Sequence, residues 1–145
     1  MTTKIDRRTG LEELDRVECP RLVASSPIGR LAVVVGGRPL VHPVNFALDG
    51  QAIVLRTDTG TKLHGARNGP VAFECDGVDS TYHTGCSVVV QAKAEEVVLA
   101  ADVARFDRLP LGPWCPGPKP TWLRLRTQSI TGQRIPPHGR QVDPE

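Results

Sequence analysis

"GRLAVVVGGRPLVHPVNFALDGQAIVLRT", residues 29 to 57, is the stretch that decides the fold. Its apolar residues come in runs of strand length, and Gly36-Gly37 and Asp49-Gly50 interrupt them with pairs that favour tight hairpin turns. The pattern predicts three β segments, 30 to 35, 40 to 48 and 52 to 57, joined as a meander. Pro43 stands inside the second of them. A proline donates no ladder hydrogen bond, so that strand should lie at an edge or carry a bulge.

On the N-terminal side, Thr9 and Glu12 have the spacing of a capping box, with Leu11, Leu14 and Leu22 as apolar positions. Two short helical pieces are expected, the second starting near Pro20, which breaks the first. On the C-terminal side, "GTKLHGARNG", residues 60 to 69, has room for two turns of helix and ends at Asn68-Gly69 before Pro70. "VAFECDG", from Val71, predicts a fourth strand.

The clearest strand is "CSVVVQAKAEEV", where Cys86, Val88, Val90, Ala92 and Ala94 alternate with Ser87, Val89, Gln91, Lys93 and Glu95. A short helix is expected over 99 to 107. After a proline-rich crossing, "TWLRLRTQSITGQRI" supplies a last strand or a bent pair. Six or so mostly antiparallel strands with few helices predict a mainly β chain, a small barrel.

The chain has 145 residues, enough for one domain with a real core. The 14 glycines and 13 prolines agree with many turns, and with only 4% aromatic residues the core must come from Val, Leu, Ile and Ala. Residues 1–10 and 136–145 are expected to be flexible tails around a domain at 11–135. A net charge of +2 without a block of like charges implies no nucleic-acid surface. No apolar run approaches the ~20 residues that span a bilayer, and the first residues do not resemble a signal peptide, so a cytoplasmic protein away from membranes is expected.

Cys19, Cys75, Cys86 and Cys115 have no metal-binding spacing and are expected to be structural thiols; no metal site is expected. No P-loop, GxGxxG after a strand, HExxH or GxSxG occurs. His42, His64, His83 and His138 are dispersed, and no side chain is a convincing general acid or base.

One turn has a different character. "VLRTDTGTKLHGA", residues 54 to 66, carries a strand through Arg56, Thr57 and Thr61 into Lys62 at the start of the expected helix. Unpaired N–H groups and the helix dipole favour an anion there, and Arg56 and Lys62 would add charge-assisted hydrogen bonds to a phosphate. The alternative is a plain cap, made by Thr57 or Thr59, with both cations in solvent. Likewise the backbone freed around Pro43 serves either an ordinary edge strand or a flat heteroaromatic ligand lying along residues 43 to 46.

In this order and spacing the segments resemble the flavin-binding split-barrel family of pyridoxamine 5'-phosphate oxidase, most of all its short actinobacterial members. The carrying segments are residues 29–48, 53–77, 85–97 and 109–135. The resemblance implies a six-stranded antiparallel split β-barrel of the FMN-binding type. It also implies a homodimer with the cofactor at the subunit interface, acting as a reductase or oxidase on a small molecule.

His42, Pro43, Val44, Asn45 and Phe46 would follow the isoalloxazine ring, and Arg56, Thr57, Thr61, Lys62 and Leu63 would hold the phosphate. Ser87 and the segment around Trp114 would come from the partner chain, with Arg124 and Arg126 as weaker candidates at the same edge. A deazaflavin coenzyme in place of FMN, or a non-catalytic flavin or haem carrier, remains an alternative on this fold. The chain departs from the oxidase pattern at Leu63 and Phe46, where the oxidase has basic residues. It also lacks the oxidase's C-terminal substrate-binding Arg and His.

Overall fold

A computed structural model describes residues 4–57, 66–81, 84–111 and 121–136. Its strands are β1 (Glu12–Glu13), β2 (Gly29–Val35), β3 (Arg38–Val44), β4 (Ala47–Asp49), β5 (Ala52–Thr57), β6 (Pro70–Asp79), β7 (Thr84–Glu96) and β8 (Thr121–Ile135). Two helices accompany them, α1 (Glu18–Ser25) and α2 (Ala100–Phe106). Six strands have six residues or more, and all pair antiparallel in the order β3-β2-β6-β7-β8-β5-β4, with β1 added on β8.

The hairpin turns fall where glycine pairs put them. Gly36 and Gly37 sit at φ +60° and +75°, a left-handed backbone that suits the two-residue turn between β2 and β3. Asp49-Gly50 turns β4 into β5. The three-strand meander, however, does not form. The segment expected at 40 to 48 is two strands, β3 pairing with β2 and β4 with β5, and these lie at opposite ends of the strand order.

Only Asn45 and Phe46 connect those two ends. Three residues of chain span at most about 11 Å, so the sheet must curl until its edges meet. The result is a barrel that is closed along β2-β6-β7-β8-β5 and split between β3 and β5. Pro43 lies on β3, a terminal strand of the order, where a missing donor costs least.

Strand alternation builds the interior. Leu31, Val33, Leu55, Phe73, Cys75, Val88, Val90, Ala92, Ala94, Leu123 and Leu125 are all buried on the inner face. Phe73 needs room there: a Cβ on Gly29 would sit 2.2 Å from its Cζ, so the glycine lets the ring pass. Phe46 meets that ring edge-on, with centroids 4.9 Å apart. On the outer face α2 covers a second cluster of Ala47, Val54, Val97, Phe106 and Trp122.

The N-terminal expectation needs correction. Glu12 and Glu13 pair with Arg134 and Gln133 as a strand, and no first helix forms around them. Thr9 Oγ1 accepts a hydrogen bond from the Leu11 N–H instead of capping a helix. The single helix that follows starts from Asp15, whose Oδ1 accepts the N–H groups of Val17 and Glu18, both at 2.8 Å. Those bonds hold the Asp15 carboxyl below its usual range. Pro20 fits because it lies in the first turn, where N–H groups have no partner within the helix.

At the other end the last strand is one continuous β8, bent where the register with β7 shifts between Gln91 and Ala92. No helix among the described residues is long and apolar enough to cross a membrane.

Candidate functional site

Seven of the predicted site residues lie on the strands and the crossing that border the split. β4 leaves β5 after the pair Ala47–Val54; carried two residues further, that register would set Asn45 opposite Arg56. Among the described residues the pairing is not made. The chain crosses from β3 there instead, so Val44 to Phe46 and Leu55 to Thr57 are the two lips of the split, the segments bordering the seam left open in the strand order.

Alternation then decides which way each side chain points. Arg56 is cross-strand to Trp122 on the outer face, and its guanidinium lies over the indole 5.2 Å from the ring centre. That cation–π contact holds the guanidinium over the indole on the outer side of the split. Thr57, the next residue, points inward and is 2% exposed, opposite the equally inward Thr121. On the other lip Pro43 is exposed, Val44 is buried, and Phe46 packs into the core.

Two buried polar atoms have no hydrogen-bond partner among the described residues, His42 Nε2 and Thr57 Oγ1. His42 pairs with Leu31 and so shares the inner face with it. An orphaned buried donor or acceptor costs about 1–3 kcal/mol, and native folds rarely leave one. Here one stands on each strand that borders the split. A ligand offering a donor or acceptor at each would satisfy both.

The described residues therefore bring together His42, Pro43, Val44, Asn45, Phe46, Arg56 and Thr57. Thr61, Lys62, Leu63 and Trp114 lie outside the described residues, as do residues 60–65 of the helix expected over 60 to 69 and Cys115. Asn68 has a left-handed backbone, φ +66°, two residues before Pro70. Ser87 faces outward on β7, cross-strand to Asp76 and away from the split. Arg124 and Arg126 are outward on β8 and engaged by carboxylates, Arg124 by Glu95 and Asp102 and Arg126 by Glu95.

Trp122 escaped the sequence reading, although the alternation of "TWLRLR" already sets it on the outer face with Arg124. Of the cysteines, Cys19 and Cys75 are buried and free, and burial pushes the Cys75 thiol up to about 11. They are packing residues and not nucleophiles. No cluster of three or more metal-ligating side chains occurs among the described residues.

Comparison with known proteins identifies the family. The pyridoxamine 5'-phosphate oxidase family model matches residues 15–134. An uncharacterized Mycobacterium tuberculosis protein, Rv0080, is 36% identical over 129 residues, covering 85% of this chain and 84% of its own. The structure of the FAD binding protein from Mycobacterium smegmatis superposes with a TM-score of 0.74 at 35% identity, over 86% of this chain and 99% of that one. A Corynebacterium glutamicum structure gives 0.75 at 34%, over 86% and 92%. With a split barrel in that strand order and a family match that runs from the helix cap at Asp15 to the end of β8, the chain belongs to the pyridoxamine 5'-phosphate oxidase family.

Proposed function

We propose that the chain binds a flavin nucleotide in the split between β3 and β5 and serves as a flavin-dependent oxidoreductase on a small molecule. The observation that carries this reading is the pair of orphaned buried atoms, His42 Nε2 and Thr57 Oγ1, on the strands that border that split. The FAD-binding relative in Mycobacterium smegmatis supports it, being similar over nearly its whole length. The unit recognised is the flavin mononucleotide moiety, either as FMN or as the flavin half of FAD.

A flavin bound there would supply the redox chemistry, accepting and returning electrons at its ring. The protein's part is to bind and orient. Thr57 Oγ1 would donate to a phosphate or ribityl oxygen, Arg56 would bring the cation that sits over Trp122, and Lys62 is the further cation the sequence assigns. The backbone of residues 44 to 46, at the crossing from β3 to β4, would offer hydrogen bonds to the ring edge. His42 Nε2, a buried polar atom two residues before that edge, would meet a ring donor or acceptor.

A homodimer belongs to this proposal. The outer face of β2 and β3 exposes Val34 and Val41, at 62% and 64%, beside Pro39 and Pro43. Ser87 lies on the same outer face two strands further along. A second copy seated there would cover the apolar patch and bring Ser87 toward its neighbour's split.

The decisive experiment is the absorption spectrum of freshly purified protein, followed by chromatography of what denaturation releases. FMN or FAD bound one per chain is expected. A colourless protein that binds the deazaflavin coenzyme but neither flavin overturns the assignment. Arg56→Ala should weaken flavin binding about tenfold or more, the size of one charged hydrogen bond. Sedimentation equilibrium should give a dimer that Val41→Asp dissociates.

A further inference from the structure

A second opening enters the barrel away from the split. It has a volume of about 400 Å3 and shares no lining residue with the β3–β5 lips. It lies between α1, the β4–β5 turn and the bend in β8. Its floor is apolar: Val23, Ile53, Val90 and Leu125 are each no more than 4% exposed, and Leu48 and Ile130 form the walls. Because Val90 and Leu125 belong to the inner face, the space reaches behind the sheet into the barrel. The flat surface of a folded partner cannot follow it there.

The bend that opens it has a local cause. Gln91 pairs with Ser129 but Ala92 with Thr127, so β8 carries one extra residue at Gln128 and turns away from β5. Ile130, cross-strand to Val90 and so on the inner face, remains 39% exposed at the mouth. An inward isoleucine that is not covered marks room for something apolar.

The rim decides the charge of the occupant. Asp49, Arg124 and Arg126 stand at the edge, and each already has an opposite charge. Asp49 takes Arg105 at 2.9 Å, Arg124 takes Glu95 at 3.6 Å, and Arg126 is also bonded to Glu95. Counting their neighbours, Arg105, Arg124 and Arg126 are matched by Asp49, Glu95 and Asp102, so the rim carries no net charge to draw an ion into the apolar space. The hydroxyl of Thr127 and the amide of Gln51 are exposed at the same rim and are uncharged.

We infer that this cavity binds an uncharged, mainly apolar small molecule of one to three rings, with a single carbonyl or hydroxyl directed at Thr127 and Gln51. The size agrees, since small-molecule sites occupy about 300–1,000 Å3 and this one lies near the lower end, below what a dinucleotide fills. The inference does not depend on the flavin assignment, because the cavity and the split are lined by different residues.

The test uses the full chain with two fluorescent probes of one ring system, neutral phenyl-naphthylamine and its sulfonated counterpart, anilinonaphthalene sulfonate. The neutral probe should bind saturably, one per chain, and bind about tenfold or more tighter than the sulfonate. Ile130→Trp, which fills the mouth, and Ile130→Asp, which charges it, should each weaken the neutral probe about tenfold or more, with unfolding midpoints reporting that both variants fold. Added FMN should leave the neutral probe bound. The inference is overturned by non-saturable binding, by equal or tighter binding of the sulfonate, by indifference to both Ile130 variants, by displacement with FMN, or by probe binding that falls as a second copy covers the cavity at higher protein concentration.

Discussion

β7 and β8 pair through twelve rungs, from Gly85–Ile135 to Glu96–Leu123, with a single bulge. β3 and β5, which the hairpin signals place side by side, are not paired among the described residues. The buried part of the inner face behind the first pair is apolar: Val88, Val90, Ala92, Ala94, Leu123 and Leu125 carry no polar side-chain atom. Behind the second are His42 and Thr57, each with a buried atom lacking a partner. The contrast shows how one sheet divides its work. The closed wall supplies the stability that lets the split remain unpaired, and unpaired groups are what a ligand can use.

That division is open to direct attack, first on the wall. Phe73→Ala empties the place where β2, β6 and the β3–β4 crossing meet and should cost about 3–5 kcal/mol in urea unfolding. A cost below about 1 kcal/mol would show that the ring is not a keystone of the closed side. Gly29→Ala tests the same place from the opposite direction. Its Cβ would lie 2.2 Å from Phe73 Cζ, and a loss of about 1–3 kcal/mol is expected from the forced shift of the ring.

Thr57→Val probes the split and should behave in the opposite sense. Removing a hydroxyl that has no partner should stabilise the flavin-free chain by roughly 1 kcal/mol while weakening flavin binding. Calorimetry on the cofactor-free protein, paired with flavin titration, reads both effects. Destabilisation comparable to that of Phe73→Ala would erase the contrast between the two regions.

The smallest effect belongs to the cap of α1, outside both regions. Asp15 has a folded carboxyl pKa lowered by the Glu18 and Val17 N–H groups, so its contribution is present above the ordinary carboxylate range and is lost as pH falls through the folded value. Asp15→Ala should therefore lower the melting temperature slightly near neutral pH and leave it unchanged in strong acid. An equal loss at both ends of the scale would mean that the carboxylate's hydrogen bonds are not the cause.

Much of the wall was legible in the sequence because its signals are local. The alternation through "CSVVVQAKAEEV" and the turn at Gly36-Gly37 depend only on residues within a few positions of one another. The helix at 100–106 was legible for the same reason. Thr9 and Glu12 misled because a capping-box spacing is equally compatible with a strand. Pairing of Glu12 with Arg134, more than a hundred residues away, settled the matter. The site was legible as a list of residues but not as a shape. Arg56 and Thr57 are adjacent in the chain, yet one lies on the indole outside and the other is buried inside.

By itself, then, the sequence determined the strands, the hairpin turns, the chemistry available at Pro43 and Arg56, and the family resemblance. These follow from backbone preferences and short-range periodicity. Only the tertiary structure decided that residues 40 to 48 divide into two strands at opposite ends of the sheet. The physical reason lies in Asn45 and Phe46: two residues joining two sheet edges oblige the sheet to curl. What opens along the seam is then fixed by pairings between segments distant in the chain.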